Sequence, residues 1–195
     1  MKNKWFPVKP IRFKQVHLSF GILMMVAFIG PSITVHAQNF QQVYKGIADI
    51  QAASDEFGTS VSISGDYAVV GAPNEDEDAS GGNFVPNAGA AYIYKRDGGG
   101  NWNLHQKIVS PVRTTTDQFG GSVSIDGDYI IVGAVLADSD PGTNANSNEG
   151  AAYVFERNTT SGLWEYKSTL VAPVRANADA FGIVVTITST GYAFV

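Results

Sequence analysis

Cysteine is absent from all 195 residues. That excludes disulfides, thiol catalysis and cysteine-held metals, so stability has to come from apolar burial and backbone pairing. Histidine is nearly absent too, with three in the chain and only His105 beyond residue 37. Basic residues are scarce in the same region: residues 38–195 hold 8 Lys and Arg against 18 Asp and Glu, a formal charge of −10. Nucleic acid and anionic membrane surfaces both require a basic footprint, so neither is expected as a partner. One long apolar stretch occurs, Leu18 to Ile29, and it is shorter than the ~20 residues that a membrane-spanning helix needs.

That stretch belongs to a distinct leader. Lys2, Lys4, Lys9, Arg12 and Lys14 precede it, and Gly30-Pro31 ends it before Val35-His36-Ala37. A basic region, a short apolar region and a small residue at the cut describe a secretory signal peptide over residues 1–37, with cleavage expected after Ala37. The alternative of a membrane anchor is disfavoured by length. Residues 38–195 are then expected outside the cell, secreted or at the cell surface, with no stable membrane span.

What the remainder contains is repetition. Asp55, Asp117 and Asp179 stand 62 residues apart, as do Phe57, Phe119 and Phe181, and Gly58, Gly120 and Gly182. Ser60-Val61-Ser62-Ile63 is answered by Ser122-Val123-Ser124-Ile125, and Val70-Gly71-Ala72 by Val132-Gly133-Ala134. Gly89-Ala90-Ala91-Tyr92 is answered 61 residues on by Gly150-Ala151-Ala152-Tyr153, and Trp102 by Trp164 at 62 again. One residue lost and one regained in loops keeps the period, which marks a repeat architecture.

Each copy reads as four short strands. Thr59–Ser64 alternates apolar residues with serine, the pattern of a strand with one buried face. After a turn at Gly65-Asp66, Tyr67–Val70 is almost wholly apolar. Ala90–Lys95 and Trp102–Val109 follow, separated by Gly98-Gly99-Gly100. The second copy repeats these at Ser122–Ile125, Tyr129–Val132, Ala151–Glu156 and Trp164–Val171. Four antiparallel strands per unit with glycine-rich turns describe a blade of an all-β propeller. The expected organisation is an N-terminal strand region at residues 38–54, a first blade at 55–116, a second at 117–178 and a broken third copy at 179–195. Tyr44 to Ile50 reads as a lone fourth strand suited to closing a ring edge. Two full blades and two fragments do not make a ring of four to eight, so an incomplete, truncated propeller is expected.

The run Phe57-Gly58 … Gly71-Ala72-Pro73, with Phe119-Gly120 … Gly133-Ala134 in the second copy, resembles the FG-GAP repeat of integrin α-subunit propellers and of many exported bacterial proteins. The resemblance implies structural roles for these residues. Phe57 and Phe119 would plug the space between blades, while Gly58, Gly120, Gly71-Ala72 and Gly133-Ala134 would admit close backbone approach. It also implies a calcium turn, Asp-x-Asp-x-Asp-Gly-x-x-Asp, between the first two strands. Here that turn is Ser64-Gly65-Asp66 and Asp126-Gly127-Asp128, with too few oxygens for a cation that takes six to eight.

Acidic residues cluster instead after the Gly-Ala. Asp76 and Asp138 are 62 apart, as are Asp78 and Asp140. Two readings stand: a weak calcium site in each loop, or a solvated acidic loop. No bidentate glutamate follows at a suitable distance. No catalytic set is evident, since His105 is expected on an exposed strand and the alternating serines have no histidine partner. Asp66 and Asp128 suit turn capping, and Trp102 and Trp164 suit covering outer strands or stacking on sugar rings. No cofactor is expected beyond that weak calcium. The function expected from the resemblance is a non-catalytic adhesion or binding scaffold for an extracellular protein or polysaccharide, or else an accessory propeller domain of a larger exported enzyme.

Overall fold

In the computed structural model, residues 54–138 and 148–195 are described; the leader, the Tyr44–Ile50 strand and Asp140 lie outside them. Among the described residues the chain is all-β. The first antiparallel sheet orders β1 (Val61–Ser64), β2 (Tyr67–Ala72), β3 (Ala90–Arg96) and β4 (Trp102–Ile108) in sequence. A second sheet repeats it with β5 (Phe119–Asp126), β6 (Tyr129–Ala134), β7 (Ala151–Arg157) and β8 (Trp164–Leu170). A two-stranded hairpin, β9 (Thr186–Ile187) and β10 (Ala193–Phe194), begins a third unit. The four-stranded sheets are open, as propeller blades are, and the described residues do not close a ring.

Each strand follows from local chemistry. Gly65 and Gly127, at φ +58° and +59°, make the two-residue turns that pair Ser64 with Tyr67 and Asp126 with Tyr129. The β3–β4 turn is tied by Asp97, whose carboxylate accepts from the Gly99 and Asn101 amides at 2.9 and 2.8 Å. Asn158 does the same in β7–β8, accepting from Thr160 and Ser161. Both outer strands carry a bulge at the same place. The register jumps past His105 in β4 and past Lys167 in β8.

The blades stack through unlike faces. The front face of the second blade presents Phe119, Val123, Ile125 and Tyr153 to Val69, Ala91, Ile93 and Ile108 on the back of the first. Its own back face, with Ile131 and Ala152, receives Val185 and Ile187 of the third unit. The alternation in β1 and β5 therefore has a different meaning from a buried face against a solvent face. The serine sides of both strands point at the next blade, and the apolar side of β5 at the preceding one. Ser60 Oγ donates to Gly120 O at 2.8 Å, and Ser62 Oγ accepts from Ile125 N at 3.1 Å. Ser122 and Ser124 repeat both bonds to Gly182 O and Ile187 N. β5 is the inner edge of its sheet, so its outward amides need acceptors, and the serines of the preceding blade supply them.

Contact between blades is close enough to require glycine. A Cβ on Gly71 would lie 1.9 Å from Gly120 O, and one on Gly133 would lie 2.0 Å from Gly182 O. Gly71→Ala is expected to cost at least about 3 kcal/mol, because the atom in the way is backbone and cannot rotate aside. A chemical-unfolding loss under about 1 kcal/mol would show that the blades do not meet there.

Candidate binding face and the chemistry around it

The long β2–β3 connection and the β4–β5 connection run along one end of the sheets. Arg113, from the second of these, donates to Asn83 O at 2.6 Å and to Asp76 O at 2.7 Å in the first. Thr116, Gln118 and Phe119 amides then donate to Pro86, Asn87 and Ala88 carbonyls. Gln118 holds φ +57°, and its repeat equivalents Glu56 and Ala180 hold +54° and +58°. A left-handed turn thus precedes each Phe-Gly, without glycine, because the flanking backbone bonds hold it there. The result is one surface built from two connections, with Phe84 and Val112 exposed on it.

Of the expected loop acids, Asp76 and Asp78 sit within this surface and Asp138 in the matching loop of the second blade. Asp76 Oδ1 accepts from the Asn87 amide at 2.7 Å, and Asp138 Oδ1 from the Asn148 amide at 3.0 Å. The 62-residue spacing thus matches a bond that closes the same loop in both blades. Asp78 Oδ1 accepts from Ser80 N, Ser80 Oγ and Gly82 N, and its Oδ2 from Asn83 Nδ2. Those bonds, the Ser80 hydroxyl first, hold the Asp78 carboxyl far below the usual range. Among the described residues, no group of three or more His, Asp or Glu stands close enough to hold a metal ion. Millimolar calcium is expected to raise the melting temperature by less than about 1 °C. A rise of several degrees, reversed by chelator, would assign a cation to these loops.

The blade residues occupy unequal settings. Phe119 is fully buried, edge-on to Phe155 and tilted against Tyr153. Phe57 is only half-buried and packs on Tyr92 and Tyr94 of its own blade. Gly120 meets Ala90 O, where a Cβ would stand at 2.3 Å. Gly58, by contrast, has open space around it, so the expected close approach is not what it serves. Its φ of +96° is what glycine allows there. Ala72 and Ala134 are fully buried.

Several side chains have duties beyond those expected. His105 is half-buried rather than exposed, because its bulge turns it toward the second blade. Its Nε2 lies 3.0 Å from Gly162 O, and its ring meets Tyr67 and Trp164 edge-on. Gln106 beside it both donates to Trp164 O and accepts from Trp164 N, at 2.9 and 2.8 Å. One side chain thereby imitates a strand neighbour. Trp164 is 2 % exposed and covered by the first blade, which leaves its ring no room to stack on a sugar. Asp66 and Asp128 pair with Arg96 and Arg157 across the turn ends, an arrangement that ties β3 to the β1–β2 turn.

The least expected feature is buried charge. Glu75 is 1 % exposed and meets Lys107 Nζ at 3.1 Å, while the Tyr92 hydroxyl donates to its other oxygen. Burial alone would push the Glu75 carboxyl up. Hydrogen bonds with Glu77, Tyr92 and Lys107, and the lysine charge, more than offset this and hold it below the ordinary value. Glu77 is raised in turn, chiefly by its hydrogen bond with Glu75. In the second blade the counterparts of Glu75 and Lys107 are Ala137 and Thr169.

Residues 40–94 and 102–155, more than half of the chain, match the FG-GAP repeat. The chain belongs to the FG-GAP repeat family. The second matched segment, 102–155, spans β4 of the first blade and the three inner strands β5 to β7 of the next. No curated protein is significantly similar to the chain. In this FG-GAP protein Phe119-Gly120 and the two Gly-Ala pairs lie at blade-to-blade junctions, and none of the Phe-Gly or Gly-Ala residues carries a reactive group.

Proposed function

We propose that this FG-GAP protein is an exported, non-catalytic binding module that holds an extracellular protein or polysaccharide. Its contact surface is the joined β2–β3 and β4–β5 connections of the first blade. The observation that carries this reading is the Arg113 clamp. It fixes two loops as one surface and leaves the Phe84 side chain 64 % exposed on it. A rigid loop presenting an exposed aromatic side chain loses little entropy on binding, as recognition surfaces do. The family supports a scaffold rather than a chemical role. No helix among the described residues is long and apolar enough to cross a membrane.

Binding to arrays of extracellular-matrix proteins and polysaccharides tests the proposal. Phe84→Ala should abolish the strongest interaction and leave the melt unchanged. Arg113→Ala should weaken it by loosening the loop. Turnover of any bound polymer, or binding untouched by both substitutions, would reject it.

A further inference from the structure

The first blade holds a cavity of about 460 Å³ at the end of its sheet opposite the Arg113 clamp. Lys95, Arg96 and Asp97 line it from β3 and the turn that follows, and Asn103, Leu104 and His105 from β4. Its uncommitted polar groups are donors. The Asp97 carboxylate is filled by its own turn, through the Gly99 and Asn101 amides and the Asn101 and Asn103 side chains. Arg96 gives Nε and Nη2 to Asp66, and Nη1 is left over. Lys95 Nζ stands 5.5 Å from the centre of the Tyr67 ring, and among the described residues no carboxylate pairs with it.

The second blade shows what that arrangement lacks. By register, Glu156 takes the place of Lys95, and Lys167 that of His105 at the bulge. There Glu156 meets Lys167 Nζ at 2.8 Å and accepts from the Tyr129 hydroxyl at 3.2 Å, so acid, base and phenol close on one another. In the first blade a base stands in the acid's place. Lys95 shares the Tyr67 ring with His105 and with the Arg157 guanidinium, 5.1 Å away. Asp128 balances Arg157, but Lys95 has no such counterpart among the described residues.

From this difference between the blades we infer that the cavity binds a carboxylate-bearing sugar, a hexuronate unit of an acidic polysaccharide. The sugar carboxylate pairs with Lys95 as Glu156 pairs with Lys167. Ring and hydroxyl oxygens accept from Arg96 Nη1, and Leu104 and His105 supply the less polar surface that a pyranose ring rests on. A bare carboxylate would occupy little of such a volume, whereas sites of this size hold small organic ligands. An exposed ion pair contributes little alone, so the hydroxyl contacts carry the rest of the affinity. This second site lies at the other end of the sheet from Phe84, and neither site needs the other.

Titration of the purified full chain with short oligomers of galacturonate, glucuronate and mannuronate, followed by amide NMR shifts, tests the inference. At least one should saturate the protein at millimolar concentration or below, moving the amides of residues 95–98 and 103–105 together. The methyl ester of that oligomer should bind about tenfold more weakly, as loss of one charge-assisted bond requires. Lys95→Met should weaken the acid form about as much and leave the ester nearly unchanged. Lys95 is exposed, so the fold should survive, and Lys95→Glu, the residue of the second blade, gives an independent variant. Phe84→Ala should change nothing here, which separates this site from the loop surface. Absence of binding by every oligomer, equal binding of acid and ester, or binding untouched at Lys95 would overturn the inference. So would acetate binding as tightly as the oligomer, or preference for a sulfated oligosaccharide, because the cavity would then not read a uronate.

Discussion

Replacing Phe119 with alanine is expected to lower stability by about 3–5 kcal/mol, among the larger losses a single core truncation produces. The ring is fully buried between two blades, touching the Tyr153 and Phe155 rings of its own sheet within the cluster that includes Val69 and Ile93 of the first. Its backbone is held on both sides, by the bridge to Gly89 with its amide donating to Ala88 O, and by pairing with Ala134 of β6. Neither blade can therefore collapse into the space left behind, and the cavity term adds in full. The matching Phe57→Ala should cost less than half as much, because that ring is half-exposed. Urea unfolding monitored at equilibrium separates the two. A Phe119→Ala loss below about 1 kcal/mol would mean that the junction is packed by something other than this ring.

Lys107→Met is expected to be comparably damaging, about 3–5 kcal/mol, for an electrostatic reason. It strands the Glu75 carboxylate, 1 % exposed, with the Tyr92 hydroxyl and a long 3.4 Å bond from the Glu77 amide. Substituting both charges, as Glu75→Leu/Lys107→Met, should recover most of the loss, since a buried pair contributes little net stability over apolar residues of similar volume. The second blade stands without the pair, using Ala137 and Thr169. Acid titration gives an independent check. The Glu75 carboxyl is lowered in the fold, so its stabilising contribution is complete above its ordinary value of 4.5 and is lost as pH falls through the lowered one. The wild type should therefore lose stability more steeply than the double variant below that value. Parallel acid curves would show that Glu75 is not held as a charged group.

The strand pattern was largely legible in advance. The four strands of each copy appear within three residues of their expected bounds, because period-two alternation and glycine turns act over a few residues. One boundary moved: Gly71-Ala72 and Gly133-Ala134 are the ends of β2 and β6 rather than residues after them, since β3 and β7 pair with them to the last position. His105 was misjudged because a bulge reverses side-chain direction, and nothing in Leu104-His105-Gln106 announces one. The Glu75–Lys107 pair joins a loop to a strand 32 residues on. Its trace was nonetheless present, because the acid and the base both disappear in the second copy. The loop acids showed the opposite limit. Equal spacing of Asp76 and Asp138 revealed a shared duty, yet whether that duty was a cation or an amide could be read only from the Asn87 and Asn148 contacts.

By itself the sequence determined the repeat, its period, the four strands of each blade and the turns between them. Each of those is set by residues near one another in the chain. The tertiary structure decided what each face touches. Alternation states that the two sides of β1 and β5 differ, and no more, because a period of two is the same whether the polar side meets water or protein. Here the serines of both strands meet the edge amides of the next blade, and Val123 and Ile125 of β5 meet the blade before. That assignment arises only when sheets stack front to back.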